Sequence, residues 1–379
     1  MVEKERTLQG EGVPHMKSRK VAQQVLDPGG VGGVSSEYKA LRNAALQDQY
    51  TFHPVVLEHW HAGINLRDIL FYYRAFRAVQ PDIIHVRGAA ADGLNAEIAA
   101  KLAGCGRLLV TVHGMYSDLV YYAPIKRWIC RNLIERMCFS LADGISCVYE
   151  GAGARACFAP YRKKMLPPVY NRMPKYAADG GEARNRLRRE LGIPETAAVG
   201  VYTGRITREK GMEDLLNALL QTDSDWPAGL WLILVGDGDY RKAMEEKLSR
   251  MEHRERIVFT GYRPQVEAYL KAADFFVHPS LHENLSISIL EACAARLPCI
   301  VTDVGGNREI IREDFGMILP AHDPAALRRA MLRMCDDRCR QRLREALEQE
   351  SFAQFQDEQV DQQLRQVYEK LLCVEGEKA

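Results

Sequence analysis

Arg205 and Lys210 are the first residues to weigh. They stand in Gly204-Arg205-Ile206-Thr207-Arg208-Glu209-Lys210-Gly211, after an apolar run and before an amphipathic one. A diphosphate calls for such cations at a strand's carboxyl end: a guanidinium for forked contacts, an ammonium as a mobile point charge. The spacing is not that of a Walker A loop, because no Gly-Lys-Ser/Thr follows. Read alone, the segment also suits a solvated turn.

A second constellation runs from Ser280 to Ala295, SLHENLSISILEACAA. Pro279 ends a strand, a loop carries Glu283, and the pattern predicts a helix starting near Ser286 with Glu291 about two turns in. Unpaired N–H groups at a helix start can hold a diphosphate or sugar hydroxyls. Carboxylates beside them can accept hydrogen bonds from sugar and ribose hydroxyls. Two glutamates also suit a solvated helix face, but Ile287, Ile289, Leu290 and Ala292 surround Glu291, where an unpaired carboxylate is costly.

Weaker signals come from the Gly29–Gly33 turn and from Thr111-Val112-His113-Gly114. Glycines let backbone approach a phosphate, yet Ser35 stands where a dinucleotide fingerprint needs its third glycine. A lone histidine such as His113 is more often structural, and gains weight only if its strand faces a cleft. Asp237-Gly238-Asp239 and Asp223-Ser224-Asp225 resemble hard-metal pairs. The first reads better as a turn with an N-capping aspartate, the second as a solvated loop.

These residues need strands that end beside one another. Strand-like runs lie at 20–26, 51–57, 82–86, 106–112 and 143–148, with helical patterns at 36–48, 65–79, 92–103 and 124–140. A Pro/Gly-rich linker covers 167–181. The rhythm returns with strands at 198–204, 230–236, 256–261, 274–279 and 299–303. Met212, Leu215, Leu216, Leu219 and Leu220 form the buried stripe of an intervening helix. Alternation of this kind predicts an α/β chain with two doubly wound domains, binding ligands at strand carboxyl ends.

In order, GR-x4-KG, VGDGDYR, FTGY, AADFFVHPS, HENLSISILEACAA and VTDVGGNREII closely resemble the retaining family 4 nucleotide-sugar glycosyltransferases of the GT-B fold. The resemblance is strongest over 198–320. It extends more weakly to Gly29–Gly33, His113 and the stretch from Glu135 to Glu150. It implies two Rossmann-like domains facing across a cleft: an acceptor-side domain over 16–176, a nucleotide-sugar domain over 177–354, and a helix within 355–379 crossing back to the first domain; residues 1–15, with no apolar periodicity, read as a flexible extension.

Residue by residue, the resemblance implies that Arg205 and Lys210 bind the donor diphosphate and Glu283 the donor sugar. The amides of Asn284, Leu285, Ser286 and Ile287 support sugar and phosphate, and Glu291 takes the ribose hydroxyls. Tyr262 and Arg263 border the nucleobase. Gly30 and Gly32 approach the phosphate, and His113 the sugar. The chain departs from the family in carrying Glu283-Asn284-Leu285-Ser286 for Glu-Gly-Phe-Gly, and Asn171-Arg172 for Asn-Gly. The implied reaction moves a sugar from a UDP- or GDP-sugar to a sugar or lipid-linked acceptor, with retention and with neither cofactor nor metal. A sugar-nucleotide epimerase and a silent nucleotide-sugar-binding module are the alternative readings.

Composition agrees with an enzyme: 47% hydrophobic and 27% charged residues exclude a disordered or disulfide-stapled chain. The net charge of +1 excludes a polycation, and no nucleic-acid partner is expected. Scattered cysteines with no C-x-x-C pair, and no secretory or transmembrane run, predict a cytoplasmic protein. Charge is uneven, a net +8 over residues 1–175 against −7 over 176–379. Within 125–141, Lys126, Arg127, Arg131 and Arg136 accompany Trp128, Ile129 and Leu133. That mixture fits an ordinary covering helix first, and also peripheral docking on an anionic membrane at its inner face.

Overall fold

The computed structural model describes residues 18–26, 45–58, 61, 63–89, 91–118, 121–177, 181–222, 226, 227 and 229–373. The first sheet contains β1 (Arg19–Leu26), β2 (Tyr50–Leu57), β3 (Ile83–Arg87), β4 (Arg107–Val112) and β5 (Gly144–Cys147), in the order β2-β1-β3-β4-β5. The second contains β6 (Ala198–Thr203), β7 (Leu230–Val235), β8 (Ile257–Gly261), β9 (Phe275–His278), β10 (Cys299–Thr302) and β11 (Gly316–Leu319), in the order β11-β10-β9-β6-β7-β8. Every pairing is parallel. Helices cover both faces of such sheets, so the strands read as near-continuous apolar runs. All residues of β3, β5, β6, β9 and β10 are buried.

Strand order reverses between β1 and β3 in the first sheet, and between β6 and β9 in the second. At such points neighbouring loops diverge and leave a crevice beyond the strands' carboxyl ends. The loops after β6 and β9 carry Lys210 and Glu283. Gly30 and Gly32 follow β1 in sequence and lie outside the described residues, as do most of the helical pattern 36–48 and Asp223-Ser224-Asp225.

Several expectations change in detail. Residues 124–141 form two short α-helices, Pro124–Ile129 and Glu135–Leu141, around a π-helical turn at Cys130–Ile134. Asp239 caps nothing: the helix Arg241–Leu248 begins after Tyr240, with no side-chain cap, while the Asp237 carboxylate accepts from the Gly238 amide and Arg241. Leu220 is 39% exposed, because the helix Met212–Leu220 ends there and turns it outward. Glu291 is the fifth residue of Ile287–Ala294, little more than one turn in. The short β11 has no counterpart among the expected strands.

The helix Asp357–Cys373 lies on the first sheet, although it follows the second in sequence. Its Leu364, Val367, Tyr368 and Leu371 share a buried cluster with Val21, Ile83 and Leu109. The Tyr368 hydroxyl meets His85 Nδ1 at 2.9 Å and accepts from Gln23 Nε2 at 2.8 Å. Arg172, where the family carries glycine, pairs with Asp361 of this helix at 2.5 Å. Asn171 donates to the Leu285 carbonyl at 3.0 Å, from the connection into the second half.

Candidate active site

Where the two crevices meet, a cavity of about 290 Å3 is lined by Arg87, His113, Met115, Lys210, Glu283 and Asn284, among others. Glycines let the loops behind its lining pack closely. Gly211 has φ 69°, and a Cβ there would fall 1.8 Å from the Pro279 carbonyl oxygen. Only glycine lets the loop after β6 cross so close to the loop after β9, which brings Lys210 to Glu283. Gly305 does the same beneath them: at φ 55° its Cβ would meet the Glu283 carbonyl oxygen at 2.1 Å.

Lys210 Nζ lies 2.6 Å from Glu283 Oε1, and His278 Nε2 lies 2.7 Å from the same oxygen. Burial alone would raise the Glu283 pKa. The Lys210 ammonium and His278 outweigh it and hold the carboxyl well below the usual range. Glu283 is therefore an anion with one oxygen engaged, and Oε2 has no partner among the described residues. Arg205 sits at the rim, its side chain 66% exposed and 3.4 Å from Glu209. Ser286 caps the helix Ile287–Ala294, accepting from the Ile289 amide at 3.4 Å. Asn284, Leu285 and Ser286 are buried.

His113 comes from the other wall, just beyond β4. Burial, helped by the Arg87 charge, brings its pKa down to about 3, so the imidazole is neutral at physiological pH. Its Nε2 is buried without a partner among the described residues. Glu291 lies outside the cavity lining, and burial pushes its carboxyl up to about 7. Tyr262 and Arg263 are exposed just past β8, two strands from β6 and so roughly 10 Å to the side. The structure thus brings Lys210, Glu283, Asn284, Leu285 and His113 to one cavity, sets Arg205 at its edge, and leaves Ser286, Ile287, Glu291, Tyr262 and Arg263 outside its lining.

Sequence reasoning missed Arg87, His278 and Glu309. Arg87 ends β3 at the switch point, and the strand-order rule identifies it once β1 and β3 are neighbours. His278 reads as a strand residue. Glu309 ties the halves together: its carboxylate accepts from the amides of Glu150 and Gly151 at 3.0 and 2.9 Å, and from the Tyr170 hydroxyl at 2.7 Å. Among the described residues no three His, Cys, Asp or Glu side chains are grouped to hold a metal ion.

Two facing parallel sheets with a cavity at both switch points have the architecture of the GT-B fold. The description "Glycosyltransferase Family 4" matches residues 31–207, and "Glycosyl transferases group 1" matches 183–353. Between them the two matches place glycosyltransferase sequence over both halves of the chain. It is 24% identical over 286 residues to the UDP-Gal:alpha-D-GlcNAc-diphosphoundecaprenol alpha-1,3-galactosyltransferase of Escherichia coli, covering 72% of this chain and 71% of that one. It is 28% identical over 259 residues to the putative teichuronic acid biosynthesis glycosyltransferase TuaC of Bacillus subtilis (strain 168), covering 68% of this chain and 62% of TuaC. The crystal structure of Anabaena HepE in complex with UDP and glucose superposes with a TM-score of 0.70 at 16% identity, over 93% of this chain and 100% of that one, which speaks to the fold.

Proposed function

We propose that the protein transfers a sugar from a nucleoside-diphosphate sugar to an acceptor hydroxyl with retention at the anomeric carbon. The carrying observation is the convergence of Lys210 and Glu283 from one half and His113 from the other on a single cavity. Lys210 and Arg205 meet the donor diphosphate, whose charge grows as the bond to the sugar breaks. The Glu283 carboxylate and the neutral His113 take hydroxyls of the donor sugar, and backbone over 284–287 supports sugar and phosphate. Glu291 accepts from the ribose, with Tyr262 and Arg263 toward the base, and Gly30 and Gly32 approach the phosphate. In the step, the bond from the anomeric carbon to the phosphate oxygen breaks and a bond to the acceptor oxygen forms on the same face. The acceptor proton passes to the departing phosphate oxygen. Closure of the halves expels water from the cavity.

UDP is favoured over GDP as the donor base, since the E. coli relative's name specifies UDP-Gal and the Anabaena structure holds UDP. The relatives' names likewise favour assembly of a surface polysaccharide or glycolipid. No helix among the described residues is long and apolar enough to cross a membrane. A cytoplasmic protein docking at the inner face fits the stretch 125–141, where Ile125, Trp128 and Leu133 are 65%, 56% and 57% exposed. Such apolar anchors beside basic residues suit an anionic interface.

Incubating the purified protein with a panel of nucleotide sugars tests the transfer. Released UDP, and a product with the donor's anomeric configuration by NMR, are expected. An inverted product would overturn retention, and no release from any donor would overturn the activity. Co-sedimentation with anionic but not neutral vesicles tests docking, and no pelleting with anionic vesicles at low salt refutes it.

A further inference from the structure

The first half holds a second cavity, of about 430 Å3, walled by the loop after β4 and by the helical stretch 124–141. Arg131, Arg136 and Arg155 line it, with Glu135 the one lining carboxylate. That carboxylate is already engaged. Glu135 is 1% exposed, its Oε1 accepts from the Ser117 amide and its Oε2 from the Ser117 hydroxyl, both at 2.8 Å. Arg155 pairs with Asp118 at 2.5 Å. Arg131 and Arg136 are exposed, and neither has a carboxylate partner among the described residues.

The π-helical turn explains how both guanidiniums reach one space. In a regular α-helix, residues five apart point about 140° away from each other. Here the Glu135 amide bonds the Cys130 carbonyl, five residues back, and this wider turn brings positions five apart toward one face. Arg131 and Arg136 are five apart, and both line the cavity. Met115 lines this cavity and also the one between the halves, so occupants of the two would sit on either side of one loop.

Guanidiniums without a carboxylate partner, lining a cavity, recognise phosphoryl oxygens by forked hydrogen bonds. We propose that this cavity binds the phosphoryl group of a phosphorylated acceptor, holding it beside the transfer site. The proposal rests on the reading of the interdomain cavity as that site. A soluble sugar phosphate and a lipid-linked sugar diphosphate share the chemistry.

Calorimetry on the full chain tests it, with inorganic diphosphate as the probe and UDP at saturation to fill the donor side. The wild type is expected to bind diphosphate, Arg131→Ala/Arg136→Ala to lose at least about tenfold in affinity, roughly the 1.4 kcal/mol of one charged hydrogen bond, and UDP affinity to stay within about twofold. Arg131→Lys/Arg136→Lys, which keeps the charge and loses the fork, is expected to fall between. UDP binding by each variant shows that it is folded. No diphosphate binding by the wild type, or equal binding by the alanine variant, overturns the proposal. If UDP itself fails to bind, the donor reading falls, while the same titration without UDP still compares wild type with variant. Farnesyl diphosphate then separates the sources: tighter binding than inorganic diphosphate, lost in Trp128→Ala, assigns a lipid-linked acceptor, and equal binding assigns a soluble phosphate.

Discussion

On the second half's side, the cavity wall is an ion pair: Lys210 against an ionised Glu283, with His278 behind it. On the first half's side, His113 is a neutral imidazole, kept so by burial and by the charge of Arg87, which lines the cavity beside it. The two walls also differ in how they are built. The loops after β6 and β9 lock together through Gly211, whereas His113 stands at a strand end with a nitrogen that has no partner among the described residues. A wall carrying fixed charge suits a leaving diphosphate. A neutral imidazole suits sugar hydroxyls, which carry no charge to neutralise.

Lys210→Ala tests this division most severely. It removes the ammonium from the diphosphate and leaves the Glu283 anion buried with one partner fewer. Turnover is expected to fall by roughly 10²–10³, with a loss of about 3–5 kcal/mol in stability from the broken pair. Lys210→Arg recovers stability before it recovers turnover. Steady-state kinetics and denaturant melts decide, and near-wild-type turnover in the alanine variant would end the diphosphate assignment.

Glu291 sharpens the contrast between sugar and ribose. A carboxyl pushed up to about 7 takes up a proton that the unfolded chain, with a pKa near 4.5, does not hold. Its contribution to stability is therefore present below pH 4.5 and lost as pH rises through about 7. Glu291→Gln should raise Tm at pH 8 more than at pH 5. Ribose hydroxyls donate to the ionised form, so wild-type UDP affinity should tighten between pH 6 and 8, an increase that Glu291→Gln loses together with about tenfold in affinity at pH 8. Parallel pH profiles for both proteins would refute the ribose role.

A smaller effect is expected at His113. With its pKa brought down to about 3, its stability contribution is complete above pH 6.5 and is lost as pH falls toward 3. Substitution by Gln, neutral at every pH, should flatten the acid side of the stability profile. The turnover loss should stay near tenfold, one hydrogen bond's worth. A turnover limb between pH 5 and 8 that disappears in His113→Gln would show that the residue titrates in the reaction.

The smallest expected effect is none. Excess EDTA should leave activity unchanged, because Arg205 and Lys210 supply the positive charge. Asp237 is already held by Arg241 and the Gly238 amide. Loss of activity restored by a divalent ion would place the charge elsewhere.

Much of this contrast was legible in the sequence, for a physical reason. Parallel strands buried on both faces leave runs such as LWLILV, and motifs at their ends stand out against them. The GR-x4-KG segment and Glu283 were read that way. His278 could not be, since a histidine inside FFVH looks like any strand residue until its partner is known. Glu309 reads as a solvated helix residue, because the amides it binds lie about 160 positions earlier. The π-helical turn left no sign either: nothing in CRNLI separates it from an α-helix, so 124–140 was read as one continuous element.

The helix Asp357–Cys373 has a consequence for how the protein is made. A ribosome completes both sheets before this helix emerges, yet Tyr368 and its neighbours close the first sheet's core. At about 5–20 residues per second, the 180 or so residues from the connection to this helix take on the order of 10–40 s to appear. Through that interval Val21, Ile83 and Leu109 wait uncovered, and the nascent first half is the part a chaperone would find to hold.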